Sequence, residues 1–225
     1  NLPIVGQSSP TGTQYLQEVG TAMGSVREGV NEVVYVSSGE GATSEGEFAE
    51  ALNWASREKF PVLFVIQNNK YAISVPVKDQ IAGGSLFELT KGYPNLHGYK
   101  VDGTDFPESF RAAQEAVAHA RAGNPPSLIE ADVVRLFPHS SSDDPKKYMT
   151  AAEMEENRRM EWTCPSLFCP HRPGVEISRG ATAIGRAGPS SLAPNVAQTL
   201  WTSTRYHDSF AGFSRAAYDS SSIHS

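Results

Sequence analysis

Three short stretches of this 225-residue chain carry groups suited to holding a charged ligand. Gly39-Glu40-Gly41 sets one carboxylate between two glycines, Asn68-Asn69 follows with Asn69 29 residues beyond Glu40, and Arg135 precedes His139-Ser-Ser-Ser-Asp-Asp. Glu40 offers a hard charged oxygen and Asn69 a neutral amide oxygen, while the glycines let backbone approach a phosphate closely. Mg²⁺ takes six oxygens, commonly one or two from carboxylates and the rest from carbonyls, water and phosphate. One carboxylate, one amide, one backbone carbonyl, two diphosphate oxygens and a water complete that set. A helix expected from Gly46 directs further amides toward an anion. Taken singly, each feature has a plainer reading: Glu40 in a solvated turn, Asn68-Asn69 closing a strand, His139 exposed on a loop. The joint spacing favours a site.

Other phosphate grips fit worse. In a G-x-G-x-x-G fingerprint starting at Gly39 the third glycine falls at Ser44, and the ribose-binding acid expected about 20 residues on falls near Lys59–Phe60. No G-K-[ST] is present.

The elements that must position these groups are read from periodicity. Tyr15, Val19, Ala22, Met23 and Val26 recur at helical spacing, as do Phe48, Ala51, Leu52 and Ala55, and later Phe110, Ala113, Val117 and Ala120. Val33–Val36, Val62–Ile66, Tyr99–Val101 and Leu128–Val134 read as buried strands. Their alternation predicts an α/β fold with a doubly wound parallel sheet. Ser38–Gly41, Asn68–Tyr71, Asp102–Asp105 and Arg135–Asp144 each follow a strand. Ligands of open parallel sheets sit outside the carboxyl ends of strands, so all four clusters are expected at one crevice.

Composition narrows the class. The chain has 19 basic and 25 acidic residues, a net charge of −6 and a pI near 5.5, which argues against a nucleic-acid binder. Hydrophobic content of 39% with a mean hydropathy of −0.36 fits a soluble protein, and no apolar run reaches the roughly 20 residues of a membrane span. Two cysteines, Cys164 and Cys169, make no disulfide framework and point to a reducing compartment. With His171 they lack a usual zinc spacing. The text changes near Glu161: residues 1–161 hold 14 basic and 22 acidic residues, residues 162–225 only 5 and 3. The division is read as a ligand-binding domain over 1–161, expected to be N-terminally truncated because the chain opens at Asn1, and an irregular or frame-shifted tail over 162–225.

GEGATSEGEFAEALNWA at 39–55 and QNNKYAIS at 67–74 are more specific than any spacing. With Ser8-Ser9-Pro10, Thr13-Gln14 and the Arg135…His139-Ser-Ser-Ser-Asp-Asp loop, the chain from about residue 8 to 160 resembles the alpha subunit of the thiamine-diphosphate-dependent decarboxylating component of 2-oxo acid dehydrogenase complexes. The resemblance implies the thiamine-diphosphate-binding fold, with Glu40, Asn69 and the Tyr71 carbonyl as Mg²⁺ ligands and Gly41 and Ala42 facing the diphosphate. It places Ser9 and Thr11 near the aminopyrimidine, Arg135 near the diphosphate, and His139, as a cofactor-binding and catalytic residue, at the reacting thiazolium and the incoming lipoyl group. Ser8, Pro10, Thr13 and Gln14 match a K⁺ site of branched-chain members. Thr11 stands where a larger apolar residue is usual, Gln67 where some relatives have a phosphate-binding arginine, and Pro138 where some have a second histidine.

Glutamate in the G-E-G and the SSSDD loop resemble the branched-chain, 2-oxoisovalerate type. The implied reaction is decarboxylation of a small 2-oxo acid with acyl transfer to lipoyl, alongside a beta subunit carrying the pyrimidine site and a lipoyl acyltransferase. A cytoplasmic location follows for a bacterial-type chain, the mitochondrial matrix for a eukaryotic one. Pyruvate- or acetoin-type members, a transketolase-like enzyme, and a non-catalytic interaction module are the competing readings. Ser140–Ser142 is read as a polar turn in preference to a phosphorylation loop, His97 and His119 as residues in turn or helical settings, and Glu153, Glu155 and Glu156 as a solvated helical face.

Overall fold

Residues 9–163 are described by a computed structural model, with side chains through residue 160. Ser8, the tail from Cys164 and its Cys164, Cys169 and His171 lie outside the described residues.

Helix α1 (Thr13–Arg27) leads into strand β1 (Val34–Gly39), a 3₁₀ turn (Glu40–Ser44), α2 (Gly46–Glu58) and β2 (Val62–Asn68). A two-stranded hairpin, β3 (Tyr71–Ala72) and β4 (Val75–Pro76), comes next, then the short helices α3 (Val77–Gln80) and α4 (Leu86–Thr90). Strand β5 (His97–Asp102), α5 (Phe106–Arg121), β6 (Ser127–Asp132) and α6 (Ala151–Thr163) complete the order. His97 therefore opens a strand, and α5 starts earlier than its apolar period because Asp105 caps it through the Glu108 amide at 3.0 Å. Helix α1 closes with Gly29 at φ +68, where the Val30 amide reaches the Ser25 carbonyl at 2.9 Å, a chain reversal that needs the left-handed region. The apolar period of α1 runs one position too far, since Val26 is 50% exposed in that last turn.

The main sheet has the order β1-β2-β6-β5, all parallel. Alternation along β2 explains its uninterrupted apolar text. Val62, Phe64 and Ile66 pack with Tyr15 and Val19 of α1 and Phe48, Leu52 and Ala55 of α2. Leu63 and Val65 pack on the other face with Ala112, Ala113 and Ala116 of α5. Tyr15 and Phe48 meet with ring centroids 4.9 Å apart, joining α1 to α2. The α2 crossover carries the chain from β1 to β2 over one face, and the α5 crossover carries it back from β5 to β6 over the other. The winding therefore reverses between β2 and β6, the place where doubly wound sheets open a crevice. Strand β6 ends at Asp132, two residues before its apolar run does, although the Val133 amide still reaches the Asn68 carbonyl at 3.0 Å.

Candidate functional site

Strands β1, β2 and β6 end in register, with Gly39 level with Gln67 and Gln67 level with Ala131. The segments leaving them enclose a crevice of about 440 Å³, a size that suits a small organic ligand. Gly41 and Ala42 line it from the first strand, Asn69 and Tyr71 from the second, Arg135 and His139 from the last, with Thr11 alongside. Three of the four expected clusters thus converge. Asp102–Asp105 does not, because β5 is the edge strand beyond β6 and its exit turns into α5. There Asp102 accepts from the Thr104 amide at 2.9 Å and Asp105 caps the helix.

Glu40 is buried, at 1% exposure. Its Oε2 accepts from the Asn69 amide at 3.2 Å, whereas Oε1 is buried without a hydrogen-bond partner. Burial, the largest effect, pushes this carboxyl above the ordinary 4.5; the amides of Glu40 and Asn69 and the charges of Arg135 and Lys70 oppose it. Thr43 Oγ1 donates to the Glu40 carbonyl at 2.6 Å, holding the 3₁₀ turn closed. Gly41 is required for contact: a Cβ there would lie 2.6 Å from the Ala72 Cβ, so the first turn and the hairpin touch only because one side chain is missing.

Asn69 Oδ1 accepts from the Tyr71 amide at 3.1 Å, which leaves the second lone pair of that oxygen open. Lys70 at φ +74 and Ile73 at φ +53 bracket the turn. Both are residues that seldom adopt this conformation, and Ile73 is β-branched as well. Arg135 holds the strained hairpin, donating from Nη2 to the Ile73 carbonyl at 2.6 Å and from Nη1 to the Tyr71 carbonyl at 3.5 Å. Its guanidinium lies 5.7 Å and 5.5 Å from the Tyr71 and Tyr148 rings. Nη2 also meets Tyr148 Oη at 2.5 Å, and that hydroxyl donates to Asp143 Oδ2 at 2.7 Å. The same carboxylate oxygen accepts from the His139 amide at 2.8 Å. Tyr148 donation, before any other influence, holds the Asp143 carboxyl below its ordinary 3.8, and burial with that bond pushes Tyr148 up to about 12. The His139 loop is thereby tied to the hairpin through three side chains.

The arrangement fits a hard divalent cation with a diphosphate. Asn69 and Tyr71 line the crevice, and Glu40, outside the lining itself, stands beside them through the Asn69 amide with one carboxylate oxygen unpartnered; carboxylate, amide and carbonyl oxygens are all donors of the kind such a cation takes. Among the described residues no cluster of three or more His, Cys, Asp or Glu side chains could hold a metal, so a cation here depends on amide and carbonyl oxygens beside Glu40. Gly41 and Ala42 of the 3₁₀ turn line the crevice, whereas Gly46, where α2 begins, is not in the lining. Ser9 is exposed and outside the lining, Pro10 is exposed, and Thr13 and Gln14 are half-buried in the first turn of α1.

Residues 1–164 match the family described as "Dehydrogenase E1 component". The chain belongs to this family. Among E1 component relatives, it is 44% identical over 148 residues to 3-methyl-2-oxobutanoate dehydrogenase subunit alpha of Mycobacterium tuberculosis, covering 66% of this chain and 40% of the relative. It is 40% identical over 158 residues to 2-oxoisovalerate dehydrogenase subunit alpha of Bacillus subtilis, covering 70% and 48%. It is 41% identical over 148 residues to pyruvate dehydrogenase E1 component subunit alpha of Staphylococcus epidermidis, covering 64% and 39%. The chain thus spans less than half the length of these relatives.

Two features of this E1 chain escaped sequence reasoning. Glu153 belongs to more than a solvated face: it accepts from the Thr150 amide at 2.7 Å while its own amide donates to Thr150 Oγ1 at 3.2 Å. Its Oε1 also takes the Tyr71 hydroxyl at 3.3 Å. The T-x-x-E text of a capping box was the available signal. The second is Glu130, hidden inside the apolar run of β6. The serine loop forms a polar turn, with the Asp143 amide on the Ser140 carbonyl at 3.1 Å.

Proposed function

We propose that this chain is the diphosphate- and Mg²⁺-binding part of a thiamine-diphosphate-dependent 2-oxo acid dehydrogenase, acting on a branched-chain acid such as 3-methyl-2-oxobutanoate. The observation that carries the reading is the buried Glu40 Oε1 with no partner, held against the Asn69 turn at the winding reversal of the sheet. An orphaned buried oxygen costs about 1–3 kcal/mol, a cost that a bound cation at this position would remove.

In this reading Glu40, Asn69 and the Tyr71 carbonyl hold Mg²⁺, and the backbone of Gly41 and Ala42 faces the diphosphate. Thiamine diphosphate, when bound, supplies the nucleophilic carbon that lets a 2-oxo acid lose carbon dioxide. The protein orients and shields. Arg135 keeps the hairpin in its strained form and lends positive charge to the Glu40 side of the crevice. His139, at the crevice mouth, is the group that moves a proton near the reacting carbon and faces the incoming lipoyl arm, a task suited to imidazole. Ile73 and Phe137, 53% and 60% exposed, provide an apolar rim suited to an aliphatic acyl group. Pro10, Thr13 and Gln14 extend the proposal to a K⁺ ion at the start of α1, checked by K⁺-dependent melting.

The pyruvate-type relative at 41% identity supports a second reading of the substrate. The ratio of kcat/KM for 3-methyl-2-oxobutanoate and pyruvate decides between them. The site itself is tested by titrating thiamine diphosphate into the full-length chain assembled with its beta part, with and without Mg²⁺. Glu40→Ala and Asn69→Ala are expected to abolish the Mg²⁺-dependent gain in affinity with the fold retained. Wild-type affinity in both variants overturns the assignment.

A further inference from the structure

The strand between the two cores carries a carboxylate that the crevice does not use. Glu130 of β6 is fully buried, at 0% exposure, among Leu128, Ile129 and Ala131, which are apolar and buried as well. A carboxyl group in such a place is costly unless its oxygens are hydrogen-bonded. Oε1 accepts from Asn68 Nδ2 at 2.7 Å. Oε2 accepts from the Phe87 amide at 2.7 Å and Ser85 Oγ at 3.0 Å. One side chain therefore joins the exit of β2 to the start of α4.

The bond to Asn68 has a directional consequence. The amide nitrogen of the buried Asn68 donates to Glu130, so Asn68 Oδ1 faces the other way. That oxygen accepts from the Lys70 amide at 3.0 Å, inside the turn where Lys70 takes φ +74. The residue between them, Asn69, donates its amide to Glu40 Oε2 at 3.2 Å. An apolar residue at 130 would fill the strand equally well yet leave the Asn68 amide free to rotate and the strained turn without its inner bond.

We propose that Glu130 is a positioning residue: by fixing the Asn68 amide it sets the 68–71 turn that presents Asn69 Oδ1 and the Tyr71 carbonyl beside Glu40. The proposal rests on the reading of that crevice as the Mg²⁺–diphosphate site. Its test is a polarity swap in the full-length chain assembled with its beta part. Glu130→Gln keeps an oxygen for Phe87 and Ser85 but turns an amide nitrogen toward the Asn68 nitrogen. Asn68→Asp sets two carboxylates face to face. The double variant, E130Q with N68D, restores all four bonds with the charge moved across. The amide introduced at position 130 then donates to the carboxylate introduced at position 68, and that carboxylate still accepts from the Lys70 amide.

Two quantities are read: the Mg²⁺ concentration that half-saturates thiamine diphosphate binding, and hydrogen exchange of residues 68–72 in the metal-free protein. Each single variant is expected to raise the first about tenfold, the worth of one charged hydrogen bond, and to speed the second. The double variant is expected to return both to within about threefold of wild type. Ser85→Ala, which leaves the Asn68 bond intact, is expected to change neither. Unchanged exchange in E130Q, a double variant no better than N68D, or a Mg²⁺ requirement in Ser85→Ala raised as far as in E130Q overturns the positioning role. Should wild type bind the cofactor without regard to Mg²⁺, the crevice reading fails, and exchange at 68–72 still decides whether Glu130 sets the turn. If E130Q does not assemble, the comparison of N68D with the double variant makes the same decision.

Discussion

The two oxygens of Glu40 have different surroundings, one on the Asn69 amide and one without a hydrogen-bond partner, and in our proposal this asymmetry makes the residue a pH-sensitive ligand. A carboxyl raised above 4.5 by burial keeps its proton in the folded state at a pH where the unfolded chain has lost it. The metal-free protein is therefore expected to lose stability as pH rises from about the unfolded value through the raised folded one. A bound cation takes the ionised form and removes that loss. Mg²⁺ must displace the proton, so its apparent affinity is expected to tighten by up to about tenfold per pH unit below the folded pKa and to level off above it. Glu40→Gln is expected to flatten both profiles. Calorimetric melting and Mg²⁺ titration across acid to neutral pH check this, and a pH-independent wild type contradicts it. His139 makes a separate prediction, since in our proposal its main task is to move a proton near the reacting carbon. His139→Ala is expected to lower acyl transfer to a lipoyl domain by roughly 10²–10⁴-fold, while thiamine diphosphate affinity stays close to wild type.

Long elements were legible because their patterns are long: β2 carries the uninterrupted apolar run Val62–Ile66, and the helical spacing of α1, α2 and α5 spans about two turns or more. The hairpin of β3 and β4 has two residues in each strand, too few to show a period, and α4 has five. The crevice was legible at Asn69, Arg135 and His139, which line it, and at Glu40, which meets the Asn69 amide, because a chemically unusual residue stands at each strand exit. That reading was overextended at Asp102–Asp105, where the same signal marks a helix start, and blind to Glu130, a carboxyl group inside an apolar run whose contact with the turn runs through Asn68. Gly41 could be noticed in the sequence, but the reason for it could not, because Ala72 lies 31 positions away along the chain. Gly41→Ala is expected to force the 3₁₀ turn and hairpin apart, costing about 1–3 kcal/mol and lowering cofactor affinity. Ala72→Gly in the same chain removes the opposing carbon at 2.6 Å and is expected to recover most of both losses. Thermal melting of the two single variants and the double decides; a double variant as unstable as Gly41→Ala contradicts the close-contact account.

At the scale of the molecule, helices cover both faces of the sheet, and the crevice at its carboxyl edge opens past the exposed Ile73 and Phe137. The chain spans 40–48% of the two branched-chain relatives, and in our proposal the pyrimidine end of the cofactor is held by a separate beta part. The 225-residue chain alone is accordingly expected to release no carbon dioxide from 2-oxo acids. Reconstitution measures this most directly: ¹⁴C-labelled carbon dioxide release from 3-methyl-2-oxobutanoate, with thiamine diphosphate and Mg²⁺, by this chain, by the full-length chain with its beta part, and by that assembly carrying Glu40→Ala. The account predicts release from the wild-type assembly only. Steady release by the chain alone, or by the Glu40→Ala assembly at the wild-type rate, would contradict it.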